Sequence, residues 1–269
     1  MTSCTSTRVA RHYDARGTDA LPSGAADPVV NMGLWSARGS AAPPRTLAEA
    51  SEALFDLVLD EAQITPGARI LDAGCGFGVA IQRALHRGAG SAVGLNLSSV
   101  QLSVARRRLG ARAPVELLAA SATAMPLPDA SIDVVISVEA AFHFDTRDAF
   151  FHEALRVLRP GGRLVVADLV LTPPSTGLER LAMGALSGAL AFPMSNVYDR
   201  EEYALRIQRA GLRLASHRSL REHVVPQFRA WMLRSALAHR SLAVDLPAAP
   251  FLAYPWDYAI FAAQKPRSE

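Results

Sequence analysis

The sequence predicts an α/β protein built on a doubly wound parallel sheet. Short apolar runs alternate with helical patterns between residues 46 and 168, and glycine-rich turns separate them. A polar residue follows each of several apolar runs. Because ligands of such sheets lie beyond the carboxyl ends of the strands, we expect a single site at that edge. Its candidate residues are Asp72, Asn96, Ser121, Glu139, His143 and Asp168.

The first strand and the turn after it define the candidate site. Residues 69–72 form an apolar run that ends in Asp72, and Gly74, Gly76 and Gly78 follow before a helix. Glycines permit a sharp turn and let a ligand lie against the backbone. The spacing differs from the Gly-x-Gly-x-x-Gly of dinucleotide sites, and Asp72 would repel a pyrophosphate. A cationic ligand without phosphate, such as S-adenosylmethionine (SAM), suits this turn.

The other elements of the sheet follow in order. Thr46 and Glu49 form a capping box that begins an amphipathic helix over residues 46–62. The apolar run at 132–138 is typical of a parallel strand that is buried on both faces. Further strands are predicted at 91–95, 115–118 and 163–168, with helices at 77–87 and 146–158.

Asn96 ends the second strand about 20 residues past the glycines, where a nucleotide site places a polar side chain on the ribose hydroxyls. Its amide can accept one hydrogen bond and donate another. The alternative is a structural role for Asn96 as a helix cap or turn residue. Ser98 or Ser99 is predicted to cap the helix that carries Gln101.

After residue 168 the pattern changes. An apolar helix over 178–192 is either a buried core helix or part of a lid over an apolar substrate, and we favour a lid insertion over 172–198 because it follows directly on the fifth strand. Asp199 caps a further helix, and residues 212–219 and 257–262 read as the final strands. Phe228, Trp231 and Met232 lie on a helical stretch between those strands and either pack in the core, which we favour, or contact the substrate.

Residues 1–45 are rich in Gly, Pro, Ser and Ala and are predicted to form an N-terminal arm on a single 1–269 domain. Tyr13 and Trp35 stand out in this arm. Each could cover a sulfonium with its aromatic face, or pack as a hydrophobic anchor.

Composition excludes several classes of partner. The net charge is +3, and the one basic run, residues 106–108, is typical of a solvated helix face. There is no apolar run of about 18 residues and no signal-peptide core. Cys4 and Cys75 are far apart, so no disulfide is expected. We therefore expect a cytoplasmic protein without nucleic-acid or membrane partners; the oligomeric state stays open.

These motifs resemble the class I SAM-dependent methyltransferases, and within them the small-molecule O-methyltransferases of bacterial natural-product pathways, including the sugar O-methyltransferases. The resemblance implies seven strands, the last antiparallel, with SAM as cofactor, S-adenosylhomocysteine as product and a small-molecule substrate. It covers nearly the whole chain. The stretches that carry it are 31–35, 70–78, 94–98, 122–129 with 132–135, 139–144 and 155–164.

The resemblance also assigns cofactor contacts along the strand ends. Asn96 and Ser121 stand where the family usually has acids, so this chain lacks two carboxylates there. Glu139 is expected on the cofactor side or in a structural role. The full set of expected cofactor residues is Asp72, Ala73, Gly74, Gly76, Asn96, Leu97, Gln101, Ser121, Ala122 and Glu139.

His143 is the candidate general base, because it follows the fourth strand beside the expected methyl position and histidine is basic near pH 7. The alternative is a histidine that only positions substrate or packs in its loop. By the same resemblance, Asp168 could orient His143 or share the work; otherwise it is structural. No histidine has ligand spacing to another or to a cysteine, so no metal is expected.

Other activities stay open on the sequence. A carbon or nitrogen methyltransferase acting on a terpene or polyketide would use the same cofactor. A cyclase or binding protein could retain the SAM fold without methyl transfer. An NAD-dependent dehydrogenase is disfavoured by the glycine spacing and Asp72.

Overall fold

The computed structural model describes residues 7, 9–11, 14, 31–36, 46–174, 176–239 and 256–267. A seven-stranded sheet in the order β3-β2-β1-β4-β5-β7-β6 organises this part of the chain. Strand β7 is antiparallel to β5 and β6, whereas β1 to β5 pair in parallel. The predicted doubly wound sheet is confirmed. The strands are β1 Arg69–Ala73, β2 Ser91–Asn96, β3 Val115–Ala119, β4 Ile132–Val138, β5 Leu158–Leu171, β6 Arg213–Ser219 and β7 Trp256–Gln264.

The helices begin at side-chain caps that the sequence signals. Thr46 forms the predicted capping box with Glu49, and Ser98, Thr146 and Asp199 each accept a hydrogen bond from the first helical turn. The α-helices are α1 Leu47–Ala62, α2 Val79–His86, α3 Ser99–Leu109, α4 Arg147–Val157, α5 Gly177–Leu190, α6 Arg200–Arg209 and α7 Arg221–His239. Short 3-10 turns span Ala141–His143 and Met194–Asn196.

The core lies on both faces of the sheet. Successive strand residues point to opposite faces, so in β4 Val134 packs with α1 and α2 while Val135 packs with α4 and α6. Both residues are buried. This two-sided burial explains why β4 reads as a continuous apolar run.

Strand β5 is longer than predicted, and helix α5 is buried on one side only. Strand β5 spans Leu158–Leu171 rather than 163–168. It begins earlier because Leu158 pairs with Ile132 of β4, and it ends later because its pairing with β7 continues to Leu171 opposite Trp256. Helix α5 buries Met183 but exposes Leu178 and Leu181, at 78% and 74%. It therefore packs by one face only. Within the ranges given above, no helix is both long and apolar enough to cross a membrane.

Candidate active site

A cleft opens at the carboxyl ends of β1, β2 and β4, with a volume of about 750 Å³ that includes space open to solvent. Every expected cofactor residue except Asp72 and Ala73 lines it, and so does His143. Val9 and Ala10 of the N-terminal arm line it as well. The sheet thus brings together residues that are far apart in sequence, as the strand-end rule predicts.

The turn after β1 forms the floor of the cleft. The N–H groups of Gly74 and Cys75 both donate to Leu95 O, each at 2.9 Å, which ties the turn to β2. Gly74 has φ +89°, and a Cβ there would lie 2.3 Å from Ala140 Cβ. A Cβ on Gly76 would meet nothing within 4 Å. Gly74 is therefore required by packing, whereas Gly76 leaves open space on the cleft side.

Asp72 lies under this turn and is 3% exposed. Burial raises the pKa of its carboxyl from 3.8 to about 7. Burial and the adjacent Asp72 also raise the pKa of the Cys75 thiol. A cation placed beside Asp72 would favour its ionised form.

Asn96 lines the cleft and makes two hydrogen bonds within the segment that follows β2. Its Oδ1 accepts from Ser98 N at 3.1 Å, as a turn residue does, and its Nδ2 donates to Gln101 Oε1 at 2.8 Å beside the cleft. Ser98 Oγ accepts from Gln101 N and lies 2.6 Å from Asp14 Oδ1. The contact with Asp14 shows that the N-terminal arm reaches the rim of the cleft.

Glu139 follows β4 with φ +49° and lines the cleft. Its Oε1 accepts from Met32 N at 2.7 Å, and burial raises its pKa from 4.5 to about 8. Trp35, three residues after Met32, is 5% exposed, and its Nε1 donates to Met32 O at 2.8 Å. Trp35 is not among the residues that line the cleft. Tyr13 lies outside the described residues.

His143 ends the 3-10 turn after β4 and is 6% exposed. Its Nδ1 lies 3.2 Å from Ala191 O. A carbonyl oxygen can only accept, so this hydrogen bond requires the proton on Nδ1. In the neutral ring, Nε2 is then the basic nitrogen.

Asp168 is fully buried in a polar network that the sequence did not signal. Its Oδ2 accepts from Arg147 Nε at 2.9 Å and from the Tyr203 hydroxyl at 3.1 Å, and its Oδ1 accepts from Phe142 N at 3.3 Å. Burial raises the pKa of Asp168, and Arg147 opposes that shift. The expected contact between Asp168 and His143 is absent from the described hydrogen bonds, because these three groups occupy the carboxylate. Asp168 is linked to the residue before His143, because it accepts from Phe142 N.

Comparison with known proteins identifies the family. A model described as "Methyltransferase domain" matches residues 71–166. The chain is 30% identical over 201 residues to Methyltransferase GfsG of Streptomyces halstedii, which covers 73% of this chain and 70% of that protein. It is 31% identical over 216 residues to Erythromycin 3''-O-methyltransferase of Saccharopolyspora erythraea, which covers 76% and 68%. The chain belongs to the SAM-dependent methyltransferases.

Solved structures of related fold agree with this membership. The [4+2]-cyclase SpnF superposes on this methyltransferase with a TM-score of 0.77 at 25% identity, covering 100% of this chain and 98% of that one. Geranyl diphosphate C-methyltransferase from Streptomyces coelicolor, solved with S-adenosylhomocysteine, has a TM-score of 0.76 at 19% identity and covers 98% of both chains. The second likeness concerns the fold alone.

The cleft of this methyltransferase fits its cofactor. The open space beside Gly76 admits a ligand against the backbone. Asp72 and Glu139, whose pKa values burial raises to about 7 and about 8, suit the positive charges of SAM. The Asn96–Gln101 amide pair offers polar groups for ribose hydroxyls. Among the described residues, no group of three or more His, Cys, Asp or Glu side chains is arranged to hold a metal ion.

Proposed function

We propose that this methyltransferase transfers the methyl group of SAM to a hydroxyl of a small-molecule natural product, with His143 as general base. The observation that carries the proposal is a histidine on the cleft wall whose Nδ1 faces a carbonyl, which leaves Nε2 as the basic nitrogen. Relatives support the choice of oxygen. Besides Erythromycin 3''-O-methyltransferase, the chain is 31% identical over 206 residues to 27-O-demethylrifamycin SV methyltransferase of Amycolatopsis mediterranei.

SAM, when bound, supplies a methyl group on a sulfonium. His143 Nε2 takes the proton of the substrate hydroxyl, and the resulting imidazolium keeps its Nδ1–H bond to Ala191 O. The carbonyl then faces the positive charge it helps to stabilise. A general base of this kind contributes roughly 10²–10⁴-fold.

The remaining residues bind and orient. Glu139 on the cleft wall would hold the cationic part of the cofactor, and Asp72 beneath the turn would attract it by charge. Asn96 and Gln101 would bind its ribose. Asp168 acts indirectly, because its carboxylate holds the Phe142 N–H next to the base. Positioning of two reactants can supply about 7–11 kcal/mol of such a barrier.

The test compares His143→Ala with wild type. Macrolide and glycoside alcohols would be offered with saturating SAM, and S-adenosylhomocysteine formation would be measured. We expect turnover to fall by roughly 10²-fold or more, while calorimetry shows unchanged binding of S-adenosylhomocysteine. His152→Ala is the matched control, because His152 is exposed on α4. A loss of less than a few-fold in His143→Ala would remove the base role.

The cyclase SpnF, at 25% identity over the whole chain, gives a specific reason to keep a second candidate function. A cyclase would convert a polyene substrate without forming S-adenosylhomocysteine. A carbon methyltransferase would form it, but its product would carry no new methoxy group. Product analysis in the same assay therefore separates the three activities.

A further inference from the structure

The loop that carries His143 is held by a segment distant in sequence. Asn196 is 1% exposed and ends the 3-10 turn Met194–Asn196. Its Nδ2 donates to Phe142 O at 3.1 Å and to Phe144 O at 2.8 Å. These carbonyls belong to the residues on either side of His143. One side-chain amide therefore fixes the backbone on both flanks of the proposed base.

The same segment also contacts the imidazole ring. Ala191, just after α5, provides the carbonyl that faces His143 Nδ1 at 3.2 Å. Phe192 N–H and O are both tied to Ser187 in the last turn of α5, so the segment leaves the helix in a defined direction. The 191–196 segment therefore contacts the His143 ring through Ala191 and the backbone on either side of His143 through Asn196.

We propose that Asn196 is the positioning residue for His143, and that the 191–196 segment sets both the location and the tautomer of the base. This inference rests on the proposed role of His143. It makes the end of α5, the helix expected to form a lid, part of the support of the active site. Asn196 itself does not line the cofactor cleft.

An amide is the side chain that this position requires. Its two N–H groups serve two carbonyls, while its Oδ1 accepts from Arg147 N at 3.1 Å. The Arg147 guanidinium fixes the other side of the residue, because Nη1 donates to Asn196 O at 2.6 Å. A carboxylate has the same shape but cannot donate. It would place oxygen against the Phe142 and Phe144 carbonyls.

Asn196→Asp is the informative variant. It keeps the acceptor for Arg147 N and the backbone contact with Nη1, so the fold retains its main support, but it loses both donors. We expect kcat to fall roughly 10–100-fold, because small misplacement of a catalytic group has costs of that order. The KM for SAM should change by less than about threefold, since the cofactor residues are untouched.

A second readout does not depend on catalysis. Ring-nitrogen NMR shifts of labelled histidine, with His143 assigned by its loss in His143→Gln, report which nitrogen carries the proton. We expect the Nδ1–H tautomer in wild type and a mixture of tautomers in Asn196→Asp. If His143→Ala leaves turnover intact, the base role fails, yet the shifts still decide whether Asn196 positions the ring.

Tyr203→Phe is the matched control. It removes one buried hydrogen bond to Asp168 Oδ2 at the far end of the same network without touching Phe142, Phe144 or Asn196. We expect lower stability with unchanged kcat and unchanged histidine shifts. The proposal is overturned if Asn196→Asp keeps wild-type kcat and shifts, or if Tyr203→Phe lowers kcat as much as Asn196→Asp does.

Discussion

At the scale of single residues, the burial of two carboxyls at the candidate site, Asp72 and Glu139, lowers the stability of the fold near neutral pH. The pKa of Asp72 is about 7 and that of Glu139 about 8, both raised by burial. Between roughly pH 4 and pH 8 the folded protein holds protons that the unfolded chain has released. Stability therefore falls as pH rises through this window. A cation bound beside these carboxyls, as proposed for the cofactor, would relieve this cost.

Glu139→Gln tests directly how much the buried Glu139 carboxyl lowers the free energy of unfolding. Gln retains an oxygen to accept from Met32 N, which donates to Glu139 Oε1 at 2.7 Å. Urea unfolding of the cofactor-free protein should show a gain of about 2 kcal/mol at pH 8, a figure reduced from the full shift because the side chain lines an open cleft. Near pH 5 the gain should nearly vanish. The exposed Glu116→Gln is the control, and an equal gain at both pH values in Glu139→Gln would contradict the explanation.

At the scale of elements, the turn between β1 and α2 separates folding from binding. Gly74→Ala would place a Cβ 2.3 Å from Ala140 Cβ, and such overpacking costs about 1–3 kcal/mol. Gly76→Ala meets no atom within 4 Å, although its φ of +51° adds strain of about 1–2 kcal/mol. Its methyl would enter the cleft, however, so S-adenosylhomocysteine should bind at least about tenfold more weakly.

Thermal unfolding and calorimetry with S-adenosylhomocysteine measure the two effects separately. For Gly76→Ala we expect weak binding and a loss of about 1–2 kcal/mol from strain, smaller than the loss in Gly74→Ala, where the φ of +89° adds strain to the overpacking. For Gly74→Ala we expect lower stability, together with a disturbed loop at Ala140 next to Glu139. Wild-type affinity in Gly76→Ala would show that the cofactor does not lie against this turn.

The sequence predicts those parts of the structure that depend on local pattern. Apolar runs, caps and glycine turns are local, and they identified the strands, most helix ends and the strand-end residues that meet in the cleft. The full length of β5 depends on pairing with β7, about 100 positions away at Gln264, and no local signal marks its last residues. Phe228 was predicted to lie in the core, and in the structure it is partly buried and packs against the core.

At the scale of the whole molecule, the buried network around Arg147 was beyond sequence reasoning for the same reason. Arg147 reads as an ordinary charge in the first turn of α4, yet it is fully buried. Its partners Asp168 and Asn196 lie 21 and 49 positions away. Asp168 was expected at the end of the fifth strand beside His143, but it lies inside β5, which continues to Leu171, and its carboxylate binds Arg147.

Because this network joins β5, α4 and the 194–196 turn, its loss should destabilise the molecule as a whole. Arg147→Met leaves Asp168 buried without its cation, and breaking a buried pair in this way costs about 3–5 kcal/mol. Adding Asp168→Asn removes the unpaired charge, so the double variant should lose less than the two single variants combined. Urea unfolding measures all three. Arg209→Met, which breaks an exposed pair with Glu202, is the control at under about 1 kcal/mol. Strictly additive losses would mean that Arg147 and Asp168 stabilise the fold independently.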